Sequence, residues 1–428
     1  MSEKTVRIGA VGISGRGSSM LRLMMRFKGV VCPAVCDVYE DRMNDGIEIV
    51  KNSPHYSGYE VKGYLNYKEM FEKEQLDAVL ICTTWITHAR IAVDAMRAGF
   101  HVGLEVGGAA SEEECWQMVR ASEETGKFCM LLENCCYGQA EMAVFNMVKL
   151  GLFGEIVYLT GGYQHDLRDE IGYGREIRHG RLFNFMHRNG ELYPTHQLGP
   201  IAKLIGINRG NRFLSLVSMS TKARGLNEFL KREKGEGYDI ANYPFNQGDV
   251  TTTIIKCAGG ENITLIHDCT LPRPYSRNAR VQGTKGIWME DGNQIYIEGR
   301  SPFHKWEDFD PYMHEFAHPL WRIHAKNAAK YGHGGMDYLI MAAFIESAMH
   351  NLKPPIDVYD TASWMAITYL SEQSVAMGGM PVPVPDFTNG RWIDREPYRR
   401  GIFCLEEVCD EFFTDEDMNI DEEILKDR

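Results

Sequence analysis

The sequence predicts an α/β protein with two domains, the first built on a doubly wound parallel sheet and the second on an open, mainly antiparallel sheet. Two observations support this prediction. Over residues 6–134, short apolar runs alternate with helical patterns, as in βα units whose parallel strands are buried on both faces. After residue 137, β-type runs follow one another with turn residues between them, which is typical of an antiparallel sheet.

The first domain is predicted to span residues 1–137. Its buried parallel strands are predicted at Val6–Val11, Gly29–Cys36, Asp77–Thr83, His101–Glu105 and Phe128–Glu133. Helical periodicity is clear in two of the connections, His88–Ala98 and Ser111–Thr125. In such a sheet the ligand crevice lies at the carboxyl ends of the strands.

The second domain is predicted to span residues 138–403 and to have an α+β architecture. Helical patterns are present at Glu141–Leu150, Gly335–Asn351 and Asp360–Ala376, and the last two are expected to pack back between the domains. The β-type runs are Ile156–Tyr163, Phe213–Ser220, Val250–Cys257, Asn262–Asp268, Ala279–Gly283 and Gln294–Glu298.

Composition and charge exclude several classes of protein. A chain of 428 residues with 44% apolar and 25% charged residues is expected to fold into globular domains that need no disulfides. Residues 404–428 hold eleven acidic and two basic residues and so carry most of the formal charge of −13. We therefore predict a solvated acidic tail there, and, because no basic stripe is present, no binding of nucleic acid or of anionic membranes.

The start of the chain and its cysteines predict a cytoplasmic location. The first residues run directly into the strand at Val6–Val11 without an apolar signal region, and no apolar run is long enough to span a bilayer. Eleven cysteines without paired spacing indicate reduced, buried thiols and no metal site. His333 and Asp337, four residues apart, are expected to form a hydrogen-bonded pair rather than to bind a metal.

A glycine-rich turn follows the first strand and predicts a dinucleotide site of the Rossmann type. The turn carries Gly12, Ser14, Gly15, Arg16 and Gly17, and Ser18-Ser19 is expected to present helix N–H groups to phosphate. An aspartate, Asp37, ends the second strand twenty residues after the last glycine. At that spacing a carboxylate accepts the ribose 2′-hydroxyl and repels a 2′-phosphate, so NAD is favoured over NADP.

These motifs resemble the glucose–fructose oxidoreductase/inositol dehydrogenase/MocA family of Rossmann-fold enzymes. Ordinary dehydrogenases of that family carry a catalytic Glu-Lys-Pro lysine and later an Asp-x-x-x-His pair. This chain has Glu105-Val106-Gly107 at the first position and Leu192 four residues before His196 at the second. The resemblance therefore implies the fold but not an ordinary dehydrogenase.

The chain is most similar to glycoside hydrolase family 109, whose members use NAD and include α-N-acetylgalactosaminidases. The resembling segments are Leu132–Asn134, Gly161–Arg168, Arg188–His196, Arg273–Tyr275, Gly332–Tyr338 and Pro385–Gly390. They lie in the family's order across both predicted domains. The resemblance implies a glycosidase whose small-molecule substrate is a glycoside, with N-acetylgalactosaminides as the expected class.

The resemblance also implies which residues bind cofactor and substrate. NAD contacts are expected at the glycine turn, Asp37, Trp85, Ile86, Thr87, His88, Glu105, Val106 and Asn134. Substrate contacts are expected at Glu133, Tyr163, Arg181, Tyr193, Pro194, Thr195, His196 and Tyr275.

The family's reaction needs a base, because the sugar is oxidised at C3, deprotonated at C2, freed of its aglycone, hydrated and reduced again. His196 is the expected base and Tyr193 its catalytic partner, since histidine titrates nearest neutral pH. If Pro194 begins a helix, both side chains cluster at its N-terminus.

Three alternatives stay open at this point. The first alternative is a sugar or polyol dehydrogenase with exchangeable NAD, and the second is a non-enzymatic NAD- or sugar-sensing protein. The third is a conventional hydrolase with two carboxylates. The sequence also leaves the oligomeric state open, a homo-oligomer included.

Overall fold

The computed structural model describes residues 4–395 and 400–413. Sixteen strands in this part of the chain are β1 Val6–Val11, β2 Val30–Val31, β3 Ala34–Cys36, β4 Lys62–Tyr64, β5 Ala78–Ile81, β6 His101–Leu104, β7 Cys129–Leu131, β8 Ile156–Gln164, β9 Phe213–Ser220, β10 Val250–Cys257, β11 Asn262–Asp268, β12 Arg280–Gly283, β13 Gly286–Met289, β14 Gln294–Ile297, β15 Glu307–Asp308 and β16 Val382–Pro383.

Fourteen α-helices in the same part of the chain are α1 Gly15–Met24, α2 Glu40–Lys51, α3 Tyr67–Lys73, α4 Trp85–Arg97, α5 Glu112–Thr125, α6 Gln139–Lys149, α7 Arg168–Gly172, α8 Arg181–His187, α9 Thr195–Leu204, α10 Gly225–Lys234, α11 Asp310–Glu315, α12 Pro319–Ala328, α13 Met336–His350 and α14 Val358–Ala376. Short 3₁₀ helices span Asn134–Tyr137, His333–Gly335 and Asp410–Phe412.

The first sheet is parallel throughout, and its strand order is β4-β3-β1-β5-β6-β7, with β2 also beside β1. The predicted α/β fold with a doubly wound parallel sheet is confirmed. The strand predicted at Gly29–Cys36 is wrong in one respect, because it divides into β2 and β3 around Pro33. Proline has no N–H for the ladder, and the Cys32 amide bonds instead to the Tyr59 hydroxyl.

The second sheet has nine strands in the order β15-β14-β13-β12-β8-β11-β10-β9-β16, and only the β8–β11 pair is parallel. The prediction of a mainly antiparallel sheet is confirmed. Strands β9, β10 and β11 have the predicted bounds. The sequence analysis did not predict β4, β13, β15 and β16, which are two to four residues long.

Two late helices pack against the sheets. Helix α13 packs on the parallel sheet so closely that a Cβ added to Gly103 would lie 2.9 Å from the Phe344 ring. Helix α14 lies between α5 of the first domain and β9 of the second sheet. Its N-terminus is fixed by a capping box between Asp357 and Asp360. Helix α14 therefore bridges the two sheets, whereas α13 packs on the parallel sheet.

The start of the predicted acidic tail is not solvated, which corrects the prediction for residues 404–409. Cys404, Leu405 and Cys409 are buried. Glu406 forms ion pairs with Lys203 at 3.1 Å and with Arg209 at 2.7 Å. An acidic segment is solvated only where it lacks apolar anchors and buried cations, and this one has both. Residues 414–428 of the predicted tail lie outside the described part of the chain.

Within residues 4–395 and 400–413, none of the helices combines the length and the apolar character needed to cross a membrane.

Candidate active site

The turn between β1 and α1 has the close packing that a dinucleotide cradle requires. Gly12 has φ +89°, and a Cβ there would lie 2.6 Å from the Cys82 carbonyl oxygen. A Cβ at Gly17 would lie 1.9 Å from the Gly12 carbonyl oxygen, so helix α1 could not approach the strand with any other residue. A Cβ at Gly15 would meet nothing within 4 Å, which leaves this face of the turn open to a ligand.

The amides that the sequence predicts to bind phosphate, those of Ser18 and Ser19, are not free. The Ser18 amide already donates to the Ser14 carbonyl at 2.8 Å, so Ser18-Ser19 does not present free N–H groups. Helix α1 begins at Gly15, and the first turn of a helix is where amides lack partners within the helix. The predicted phosphate position therefore shifts to the first turn of α1.

Asp37 is buried at the end of β3, where its carboxylate joins two loops. Its Oδ2 accepts from the Ile13 amide at 2.7 Å and its Oδ1 from the Tyr39 amide at 2.9 Å. Each carboxylate oxygen has a further acceptor site, and Asp37 lines a cavity. The arrangement fits a carboxylate that binds a ribose hydroxyl.

That cavity has a volume of about 780 Å³ and lies between the parallel sheet and the segment that contains α7 and α8. This volume is within the range of small-molecule sites. The predicted cofactor residues that line it are Gly12, Ser14, Asp37, Trp85 and Thr87. Arg181, a predicted substrate residue, also lines it, so one cavity joins the two predicted sites.

Other predicted cofactor residues do not line this cavity. The His88 ring bonds to the Thr83 carbonyl at 2.9 Å, and burial lowers the pKa of His88 to about 4. Ile86 projects outward and is half exposed. Val106 is buried, and its amide is not free to donate to a ligand because it donates to the Glu105 carboxylate at 3.0 Å.

Arg16, Glu105 and Asn134 come together in an ionic cluster around Asp337, a residue that the sequence analysis did not assign to the site. Arg16 donates to both oxygens of Asp337, at 2.6 and 2.9 Å, and to Glu105 at 3.0 Å. Asn134 donates to Asp337 at 2.8 Å. The expected His333–Asp337 pair also forms, at 2.9 Å.

This cluster keeps Asp337 ionised. Burial acts to raise its pKa, but hydrogen bonds from His333 and Arg16 and the charge of Arg16 outweigh burial and hold the pKa well below its usual value. Asp337 therefore fixes two expected cofactor residues, although 321 residues separate it from Arg16.

His196 pairs with Glu133, and this pair is the chemical centre of the site. The His196 Nδ1 lies 2.8 Å from the Glu133 Oε1. Glu133 has no exposed surface; burial acts to raise its pKa, but the charge of His196 and its hydrogen bond outweigh burial and lower it. Since an ionised carboxylate can only accept, the Nδ1–H donates, and Nε2 is left as the basic nitrogen.

Helix α9 delivers His196 to this position as the sequence predicts. The helix begins at Thr195 directly after Pro194. A Cβ at Gly161 would lie 2.2 Å from the Gln197 side chain, and a Cβ at Gly199 would lie 2.8 Å from the Glu133 side chain. These two glycines let α9 approach both β8 and the end of the parallel sheet.

Aromatic rings surround the histidine. The Tyr163 ring centroid lies 4.5 Å from that of Tyr193 and 5.4 Å from that of His196. Trp85, from the cofactor cavity, lies 5.4 Å from Tyr193. Tyr275, 49% exposed, lies 6.3 Å from Tyr163 at the rim. The predicted substrate tyrosines are thus brought together.

Arg181 lies over three of these rings, with its guanidinium carbon 5.0 Å from the Tyr193 ring, 5.4 Å from Trp85 and 5.6 Å from Tyr163. It forms an ion pair with Glu170 at 2.8 Å. An arginine held among aromatic faces keeps donors available for a neutral oxygen ligand. This arrangement fits the expected role in binding substrate.

Two buried glutamates near the site differ in charge. Glu191 has no exposed surface, accepts from the Tyr193 amide at 3.3 Å, and has its pKa raised to about 8 by burial. It is therefore protonated at neutral pH, whereas Glu133 is ionised. The two pKa values shift in opposite directions because His196 lies beside Glu133 and stabilises its charged form, whereas burial dominates at Glu191.

Sequence reasoning also missed His165, which follows β8. The Tyr163 hydroxyl lies 3.0 Å from the His165 Nδ1, and the His165 ring lies 5.0 Å from that of Tyr275. The signal was available, because residues two apart on a strand share a face and Tyr163 was already a predicted site residue.

Glu133, Cys135 and His196 offer possible metal-ligating atoms within 4.8 Å of one another. The carboxylate–imidazole hydrogen bond already accounts for the closeness of two of them. The buried thiol also lies beside the Arg277 cation, and burial raises its pKa well above the usual value. The cluster is explained without a metal.

Comparison with known families gives one match for each domain. The family described as "Oxidoreductase family, NAD-binding Rossmann fold" matches residues 6–132. The family described as "Glycosyl hydrolase 109, C-terminal domain" matches residues 137–394.

Curated relatives match along most of their length. A protein of Tannerella forsythia named alpha-N-acetylgalactosaminidase is 42% identical, over 92% of this chain and 89% of its own. A protein of the same name from Shewanella oneidensis is 38% identical, over 92% of this chain and 87% of its own. A glycosyl hydrolase family 109 protein of Parabacteroides distasonis is 41% identical, over 92% and 89%.

Solved structures share the fold at low sequence identity. An NAD-binding oxidoreductase from Klebsiella pneumoniae has a TM-score of 0.67 and 15% identity, over 89% of this chain and 99% of that one. An oxidoreductase from Agrobacterium radiobacter, solved with NAD⁺, L-tartaric acid and magnesium, has a TM-score of 0.62 and 15% identity, over 89% and 98%.

Proposed function

We propose that the chain, which belongs to the glycosyl hydrolase 109 family, hydrolyses N-acetylgalactosaminides. In the proposed route the sugar is oxidised at C3 and deprotonated at C2, its aglycone is eliminated from C1, water adds, and the sugar is reduced again. The family and the relatives make the chain an NAD-using glycosidase. The sugar rests on the names of the relatives from Tannerella forsythia and Shewanella oneidensis. The proposed partner is thus a small-molecule glycoside.

The residues present fit NAD. The open face at Gly15, the close packing at Gly12 and Gly17, and the Asp37 carboxylate form a cradle beside a cavity of suitable volume. When bound, NAD⁺ supplies a hydride acceptor that returns the hydride at the end of each turnover. Because Asp37 would repel a 2′-phosphate, NAD is proposed over NADP.

The proposed reaction rests on the contact between Glu133 and His196. A carbon next to an oxidised carbon is acidic, and its proton needs a base within hydrogen-bond reach. The Glu133 carboxylate accepts from the Nδ1–H of His196 at 2.8 Å, which leaves Nε2 as the basic nitrogen of a ring that packs beside Tyr163 and Tyr193. His196 is proposed to remove the C2 proton, and Glu133 to stabilise the imidazolium that results.

The aromatic cluster is proposed to bind the sugar. Tyr163 and Tyr193 offer ring faces and hydroxyls, and Tyr275 offers an exposed ring at the rim. Arg181 is proposed to donate to the acetamido oxygen, since its guanidinium lies among these rings and also lines the cofactor cavity. Burial raises the pKa of Tyr193 well above its usual value, so it is a proton donor at neutral pH.

The cysteines support a proposed cytoplasmic location. All eleven are free and buried. Disulfides are typical of oxidising compartments, and a chain with so many unpaired thiols is suited to a reducing one.

The test uses the purified full chain without added cofactor. The supernatant of denatured protein should contain NAD, and the protein should release nitrophenol from the α-N-acetylgalactosaminide but much less from the matched α-galactoside, which lacks the acetamido group. A nucleotide-free protein that turns over only while added NAD⁺ is reduced would instead support an ordinary dehydrogenase.

A second experiment tests the route. Hydrolysis in D₂O should place deuterium at sugar C2, because the scheme removes and replaces that proton. If the product lacks the label, the reaction rate with C2-deuterated substrate decides between a shielded proton and another route. A primary isotope effect indicates a proton that is removed and returned without exchange. The absence of a primary isotope effect would refute C2 deprotonation.

A further inference from the structure

His165 lies beside the proposed base without a role in the proposed function. It follows β8 and shares a face with Tyr163, whose hydroxyl lies 3.0 Å from its Nδ1. Its ring is perpendicular to those of Tyr163 and Tyr275. The side chain is half-buried. It therefore lies between a buried tyrosine and the exposed rim of the site.

The direction of the Tyr163–His165 hydrogen bond follows from the two protonation states. Burial raises the pKa of Tyr163 to about 12, so the hydroxyl keeps its proton at neutral pH. Burial and the Arg181 charge lower the pKa of His165, so its ring is neutral. The hydroxyl therefore donates to a lone pair on Nδ1.

Several other groups face His165, and each bears on its titration. The charged and titratable neighbours are Arg181, Glu170, Asp166, His196, Tyr163 and Tyr275. The carboxylates favour the protonated ring, while Arg181 and His196 oppose it. Burial and the Arg181 charge prevail, so the neutral acceptor is the resting form.

The hydrogen bond to His165 determines which role the Tyr163 hydroxyl oxygen can play toward a ligand. A hydroxyl that donates its single proton to Nδ1 has its lone pairs left for other donors. Arg181 supplies one donor to this oxygen. A sugar hydroxyl can supply a second, since the ring of Tyr163 packs beside His196 and Tyr193 in the proposed sugar site. Without His165, the Tyr163 hydroxyl could rotate and donate to the sugar instead.

We propose that His165 is a positioning residue that fixes the Tyr163 hydroxyl as an acceptor for a substrate sugar hydroxyl. The proposal rests on the proposed function, since it assigns His165 to the same site. It gives the site two histidine-centred pairs, Glu133–His196 for carbon deprotonation and Tyr163–His165 for orienting a hydroxyl.

Two substitutions separate positioning from packing. In His165→Asn the amide oxygen can take the place of Nδ1 as acceptor but cannot titrate, whereas His165→Leu removes the acceptor. We expect kcat to fall about 5- to 100-fold in His165→Leu, the loss for one misdirected hydrogen bond, and to recover within about threefold of wild type in His165→Asn. NAD content should be unchanged in both, and exposed His55→Asn is the matched control.

The pH profile is the readout that packing alone would not change. In the wild type, protonation of His165 removes the acceptor of the Tyr163 hydroxyl as the pH falls, so log kcat should fall more steeply with pH than it would without this step, by about one unit of slope. In His165→Asn, whose amide does not titrate, the slope should be lower than in the wild type by about one. An unchanged slope, or a His165→Leu kcat within about twofold of wild type, would overturn the proposal.

An NMR titration tests the hydrogen bond independently of turnover. Tyr163→Phe removes a donor that stabilises the neutral imidazole, so the pKa of His165 should rise in this variant. No rise would refute the bond and the positioning role. If the wild type cleaves no glycoside but the pKa of His165 rises, the proposed function fails while the orientation of the Tyr163 hydroxyl is supported.

Discussion

Replacing Glu133 with glutamine should weaken catalysis while leaving the fold intact. The substitution keeps the size of the side chain and removes a buried negative charge that His196 contacts at 2.8 Å. A hydrogen bond to a charged group contributes about 1.5–3 kcal/mol, and a neutral one about 0.5–1.5 kcal/mol. The imidazolium that forms during proton abstraction should therefore lose about 1–2 kcal/mol of stabilisation.

This loss predicts a kcat about 5- to 30-fold lower, at about 1.36 kcal/mol per factor of ten. The assay is release of nitrophenol from the α-N-acetylgalactosaminide by protein with its copurified NAD. Melting temperature should be unchanged or higher, because a neutral amide costs less to bury than a carboxylate.

Glu191→Gln is the matched control. Glu191 is equally buried, but it is already protonated at neutral pH because burial raises its pKa to about 8. Its kcat at neutral pH should stay within about threefold of wild type, since a neutral group replaces another neutral group. The reasoning is refuted if Glu133→Gln also retains wild-type kcat, or if both variants lose activity equally.

Three further outcomes are expected. Asp37→Ala leaves the Ile13 and Tyr39 amides without their acceptor and should weaken NAD binding by about 1–3 kcal/mol and relax discrimination against NADP, measured by titration of nucleotide-free protein. Asp337→Ala takes a bidentate partner from Arg16 and should lower both the melting temperature and the copurifying NAD; unchanged NAD would exclude Arg16 from the cofactor site. The folded-state pKa of Glu191 is raised above its ordinary value of 4.5. The contribution of the protonated carboxyl to the free energy of unfolding is therefore fully present below pH 4.5 and is lost as the pH rises through about 8. The melting temperature of Glu191→Gln should therefore rise relative to that of the wild type as the pH increases across that interval. Plots of melting temperature against pH that stay parallel for the two proteins would contradict this.

Much of the fold could be predicted from the sequence because its strands are buried. The apolar runs of the parallel sheet, and the β-type runs of β9, β10 and β11 between turn residues, identify these strands from local sequence. Strands such as Lys62–Tyr64 and Glu307–Asp308 have no such pattern. They form because a neighbouring edge pairs with them, and local sequence does not encode that neighbour.

The candidate site divides in the same way. Pro194 and His196 are close in sequence, so a helix start was enough to predict their arrangement. The partner of Arg16 was not predictable, because Asp337 reaches it only through the packing of α13. The buried start of the tail was missed for a similar reason, since Glu406 meets its cations only in the folded chain.

The anchoring of helix α9 has a consequence for synthesis on the ribosome. Lys203 lies in the helix that begins beside His196, and it is buried against Asp360 and Glu406. Glu406 is translated 203 residues after Lys203, a delay of about 10–40 s at about 5–20 residues per second. Asp360 is translated 157 residues after Lys203, so the nascent helix first lacks both acidic partners of its cation and then lacks Glu406 alone. The helix that carries His196 therefore gains its full set of buried ion pairs only near the end of translation.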